Sequence, residues 1–247
     1  MSDATNIAYE AIDRVAADES ASTRRKFVGG AAATLGSMGL LGLSNTPSAV
    51  AAMSKNDPQT ILNVAATAEV LATIVNTVGS ERGFLDATTQ ANVEAAAYEE
   101  LIHYKVLRSV GGRPVTKKIW VPDAVFASST GLLSTLVAGD QIFINAYLIG
   151  TTAFAKAGKA DFARYTGEFM GAEAVHRALA LQSLGQLGND RAFMKYKFTG
   201  ITHAVKLLQK AGFGFGKEGS APGTFYEFDD VKKRTPAPAG VNTLKPS

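Results

Sequence analysis

Two phrases of the same form constrain this chain more than any other feature. Glu100-Leu-Ile-His103 lies within YEELIHYKVLRSVGG, and Glu173-Ala-Val-His176 lies within FMGAEAVHRALALQSLG. Both stretches read as amphipathic helix. Residues three apart on a helix are surface neighbours, so the carboxylate and imidazole of each pair can face one point. The chain has three histidines, and two of them sit in this arrangement, in pairs 73 residues apart. Turned outward, these are two solvated Glu/His pairs. Turned inward, they place acidic groups in an apolar interior, where divalent cations would offset both their desolvation and their mutual repulsion.

Composition narrows the chemistry. The 247 residues include no cysteine, which excludes disulfides, zinc–thiolate sites, iron–sulfur clusters and Cys nucleophiles. A metal site must therefore use His and carboxylate ligands, a set suited to iron or manganese. The chain is 46% hydrophobic, enough for a sizeable core. Its net charge of +3 is carried by scattered Lys and Arg with few aromatics among them, so no nucleic-acid surface is expected.

The N-terminal residues read as an address. A polar stretch ends in Arg24-Arg25-Lys26-Phe27, an apolar Gly/Ala-rich segment runs from Val28 to Leu43, and Ala49-Val50-Ala51 offers a small-x-small cleavage site. The apolar segment is short and Gly-rich for a membrane span, so no stable span is expected after cleavage. The paired arginines resemble the twin-arginine signal of bacterial export, with Val28 where that motif usually has Leu. The resemblance implies the twin-arginine export machinery as a partner, cleavage near Ala51 and a periplasmic or otherwise exported location. An uncleaved anchor or an ordinary secretory signal is the alternative. The domains expected are residues 1–51 as signal, 52–188 as a helical body, and 189–247 as a C-terminal helix and irregular tail.

Within the body, Asp57-Pro58 predicts a helix start, with apolar residues at Ile61, Ala65, Ala68, Ala72 and Val75 and a stop at Gly79. Glu69 lies at the edge of that stripe. Asp86 predicts a second start, with the helix running to about Val110 and stopping at Gly111-Gly112. It carries Glu94, expected to be solvated, and Glu99, four before His103, which competes with Glu100 as partner of that histidine. Residues 111–129 hold two prolines and no sustained period. Extended, they could reach about 60 Å, against about 37 Å for a 25-residue helix. They are thus read as a crossover pinned to the body by Trp120. The third helix, about Thr130 to Ala157, is almost wholly apolar but for Asp140, Gln141 and Asn145, and a fourth runs from Lys159 to about Leu184. Asp190 is read as the cap of a fifth segment containing His203, a surface or packing histidine. The tail from Phe213 is expected to be irregular, with Phe225 to Phe228 packed on the body.

The fold class is therefore all-α: four helices, a long crossover between the second and third, and a C-terminal fifth helix. Candidate metal residues fall in the order single, pair, single, pair: Glu69; Glu100 and His103; Asp140; Glu173 and His176. Helical bundles with that connectivity build di-iron or di-manganese sites from such a set. The stretches ILNVAATAEVLATIV, EELIHYKVLRSVGG, GDQIFINAYLIG and GAEAVHRALALQSLG resemble the ferritin-like domain proteins, in particular the group of plant desiccation-related and exported bacterial ferritin-like proteins. The resemblance implies a ferritin-like four-helix bundle holding two Fe or Mn ions. Glu100 and Glu173 would bridge, His103 and His176 would each cap one ion, and Glu69 and Asp140 would be terminal ligands. Tyr147 and Tyr165 are candidates for supporting hydrogen bonds. Asp140 departs from the Glu of the family pattern and is one methylene shorter. The implied activity is that of an oxidase, ferroxidase or peroxide scavenger. The alternatives are a non-enzymatic stress or envelope protein with a structural or degenerate metal site, and an apolar-ligand binder. A homo-oligomer is left open.

Overall fold

Asp57 begins the first helix as a side-chain cap: its Oδ2 accepts from the Thr60 backbone N–H at 2.8 Å, and Pro58 occupies the first turn. In the computed structural model, which describes residues 56–194 and 197–246, helix α1 then runs Pro58–Ser80 and α2 runs Ala87–Ser109. Asp86 caps α2 by accepting from the N–H groups of Thr88 and Thr89. Ser128 caps α3, Ser129–Lys156, and α4 spans Ala160–Ser183. The expected signal, its twin arginines and the cleavage point at Ala51 lie outside the described residues.

The molecule is mostly helical. α1 packs on α2 and α3 on α4, and the two pairs meet through α1 with α3 and α2 with α4. Glycine allows close approach at two places: a Cβ on Gly79 would meet Leu132 at 2.6 Å, and one on Gly150 would meet Thr166 at 3.0 Å. Gly79 is thus a packing residue of α1 rather than its stop. α1 and α3 are long and apolar enough to cross a membrane by length and composition. Here 89% and 78% of their most apolar windows are buried, so they serve as core helices.

Sequence expectations are corrected outside these helices. The crossover is not structureless: it forms strand β1, Lys118–Pro122, and a 3-10 turn, Asp123–Phe126. The tail is mostly irregular, as expected, but it also supplies two strands. β2, Gly214–Phe215, and β3, Gly223–Glu227, flank β1 on both sides in an antiparallel sheet of order β2-β1-β3. Trp120 does not pin the crossover to the body. Its indole N–H donates to the Ala221 carbonyl at 2.9 Å and its ring meets Phe225 edge-on, while the buried Ile119 and Val121 on either side supply the anchor. The C-terminal helix, α5, is only Ile201–Lys210. Asp190 does not cap it, because that carboxylate is held by Arg177 through a bidentate pair at 2.8 Å. As expected, the end of the 225–228 segment packs on the body: Phe228, which opens the short helix α6, Phe228–Val231, is fully buried and its ring meets Tyr104.

Candidate metal centre

α1 is buried on nearly all sides, since α2, α3, α5 and α6 all contact it. Glu69 therefore has no route to water and is 0% exposed, as are Glu100 on α2 and Glu173 on α4. The helical spacing of each Glu-x-x-His phrase turns its two side chains toward the same interior. Ligand atoms of Glu69, Glu100, His103 and Glu173 lie within 4.8 Å of one another. Glu100 is central: its Oε2 is 3.4 Å from His103 Nδ1 and its Oε1 is 3.2 Å from His176 Nδ1. Glu69 Oε2 approaches His103 Nδ1 at 3.8 Å, and Glu173 Oε2 approaches His176 Nδ1 at the same distance.

The six residues named from the sequence are thus not equally gathered. Four form the tight group. His176 reaches it from the side through Nδ1. Asp140 is buried on α3, with its Oδ2 lacking a hydrogen-bond partner, within electrostatic reach of Glu173, His176 and Glu100 but outside the group of four. Tyr147 donates its hydroxyl to Glu69 Oε1. Tyr165 takes no part: it is half-buried and stacks on Phe162. His203 stacks on Phe198, a packing role, and Glu94 accepts from Gln90 away from the centre.

Two functional residues escaped sequence reading. Glu99 does not compete for His103; its Oε2 lies 2.7 Å from His176 Nε2, on the neighbouring helix. A carboxylate on the far nitrogen fixes the tautomer and aims the near nitrogen, here Nδ1, at the centre. The doubled Glu99-Glu100 was the available signal, because adjacent residues lie about 100° apart around a helix and can serve two directions. Arg177 is fully buried behind His176 and bound to Asp190, and nothing in its helical context distinguishes it from a solvated arginine.

The charge balance is strained. Burial, reinforced by the charges of Glu100 and Glu173, holds the Glu69 carboxyl well above its usual range. Burial and the Glu100 charge push Glu173 up to about 8. Burial and Glu173 raise Asp140, and burial together with Glu69 raises Tyr147. Burial would raise Glu100 too, but the imidazoles of His103 and His176 overcome it and hold Glu100 well below the carboxylate range. His176 resists the effect of its own burial, raised instead by Glu100, Glu173 and Glu99.

Buried polar atoms in folded proteins are nearly always hydrogen-bonded. Among the described residues eleven buried side-chain atoms lack a partner, and eight of them belong to Glu69, Glu100, His103, Asp140, Glu173 and His176. Carboxylate oxygens and imidazole Nδ1 atoms converging without donors suit a hard or borderline divalent cation. The donor set fits a metal.

Comparison of the chain with protein-family models, with curated proteins and with solved structures finds no match.

Proposed function

We propose that this chain is a ferritin-like four-helix bundle whose interior holds a di-metal carboxylate centre of iron or manganese, acting on oxygen or peroxide. The observation that carries the reading is the convergence of unpartnered buried oxygens and Nδ1 atoms from three helices on one point. Glu100 would be shared between the two ions, because its two oxygens address different histidines. His103 and Glu69 complete one side, His176 and Glu173 the other, and Asp140 stands behind the second. When bound, two such ions would supply electrons to a dioxygen or peroxide ligand. The chain's own residues do the rest. Glu99 orients His176, Tyr147 fixes Glu69, and Phe169 stacks on His103 at 4.2 Å, walling that imidazole from water.

The test is metal content. Protein purified after native expression should carry about two Fe or Mn per chain by elemental analysis, and Glu100→Ala should abolish it. No bound metal, with Glu100→Ala and His176→Ala leaving thermal stability unchanged, would overturn the reading. Metal without consumption of O2 or peroxide would favour a structural centre in a non-enzymatic protein. The proposal includes export through the twin-arginine route: Arg24→Lys with Arg25→Lys should retain the protein in the cytoplasm, and unchanged export would remove that part.

A further inference from the structure

A cavity of about 510 Å³ lies between α1, α3 and α5, well within the range of small-molecule sites. Its walls are apolar: Leu71 and Val75 from α1, Leu136 and Phe143 from α3, Leu208 from α5, and Phe213 beyond it. These side chains are themselves buried, whereas Ala124 and Ala211, which also line it, are exposed, so the cavity runs inward from an open mouth. Well-packed cores leave few voids larger than a water molecule, because wall atoms facing empty space forfeit their dispersion contacts. The exposed Lys210 lines its outer part.

Its inner end is polar in a specific way. Asn76, 2% exposed, gives its amide N–H to the Ala72 carbonyl at 3.1 Å and leaves Oδ1 with no partner. Asp140, 3% exposed, leaves Oδ2 with none. The same two residues line a narrow second void together with His176, so they form the partition between the apolar cavity and the metal centre. Thr135, the hydroxyl farther out, already donates to the Gly131 carbonyl. An unpartnered amide oxygen and a buried carboxyl lining one apolar chamber call for a guest that donates a hydrogen bond at its leading end, as a hydroxyl does.

We propose that this cavity binds a small apolar molecule bearing a hydroxyl group, body against the leucine and phenylalanine walls and hydroxyl at Asn76 Oδ1 and Asp140. Binding itself follows from the cavity; that the guest's hydroxyl faces a reactive centre rests on the di-metal reading above.

The probe is 2-naphthol, with 2-methoxynaphthalene as the same ring system lacking the donor, each titrated into the full chain by fluorescence and calorimetry. 2-Naphthol should bind saturably at one site and about tenfold more tightly than the ether, the worth of one hydrogen bond. Asn76→Leu should bring the two affinities together. Gly139 lines the cavity, and a Cβ there meets nothing within 4 Å, so Gly139→Phe should fill the space and abolish binding of both. Thr135→Trp is a second filling variant should the first fail to fold. Absence of saturable binding, binding that survives both filling variants, or equal affinity of wild type for the two probes would overturn the proposal. Elemental analysis of the same preparations separates the two readings: naphthol binding by metal-free protein upholds the cavity while the metal reading falls, and metal without naphthol binding does the reverse.

Discussion

Replacing Glu173 with glutamine should stabilise the metal-free protein and weaken the metal-loaded one. In the folded chain this carboxyl keeps its proton up to about pH 8, whereas in the unfolded chain it ionises near its ordinary 4.5. Between those values the native state holds a proton that the unfolded state does not, so stability falls as pH rises, by about 1.4 kcal/mol per unit. From 4.5 to neutral pH the accumulated penalty is about 3 kcal/mol. Glutamine has nearly the same shape and no ionisation to suppress, so Glu173→Gln should recover that amount at neutral pH. In a domain of this size the gain is a rise in Tm of roughly 6–12 °C. It should shrink toward zero near pH 4.5, where the carboxyl is largely protonated in both states. With excess Mn²⁺ the sign reverses, since the wild type gains binding free energy through an ionised ligand that the amide cannot match. Urea unfolding of both proteins across this pH range, in chelator and in excess Mn²⁺, reads all of this. A variant less stable than wild type in chelator at neutral pH, or a gain that does not diminish on acidification, would refute the reasoning.

Metal binding should release protons, because Glu69, Glu173 and Asp140 are all raised and must give up protons to coordinate. Calorimetry with Mn²⁺ in two buffers of different ionisation enthalpy counts them, affinity should strengthen as pH rises, and zero release would contradict the proton assignment. Glu99→Gln should lower metal affinity about 10- to 100-fold by loosening His176, with Glu94→Gln as the silent control in the same titration. Asp190→Ala strips the buried Arg177 of its bidentate partner and should cost about 3–5 kcal/mol in denaturant unfolding. Arg177→Met, which leaves the part-exposed Asp190 carboxylate still paired with Arg191, should cost less.

The four long helices were legible because their starts are written in local chemistry: Asp57 and Asp86 cap as their position before a helical period requires. The pairing of Glu100 with His103 and of Glu173 with His176 was legible for the same reason, since both members share a helix. Contacts between helices were not. Whether Glu99 serves His103 or His176 depends on which helix stands beside α2, and spacing along one helix is silent on that. Glu69 was legible as a candidate ligand from its place beside one apolar stripe, but its complete burial was not. Its burial comes from neighbours on other helices, among them His103 of α2 and Tyr147 of α3, which its own sequence neighbourhood does not show. Asp190 looked like a cap until a distant guanidinium claimed it. Strand β1 was invisible for a similar reason: Trp120 finds its register partner at Phe225.

That strand also says something about the order of assembly. β1 leaves the ribosome with both edges bare, and its partners, Gly214–Phe215 and Gly223–Glu227, are made roughly a hundred residues later. Until then the crossover presents unpaired backbone groups on two sides, the template for strand addition by another chain. The last stretch of polypeptide is therefore what closes the molecule. A chain cut short after α5 would keep every candidate metal ligand and still be a hazard to its neighbours, failing by aggregation.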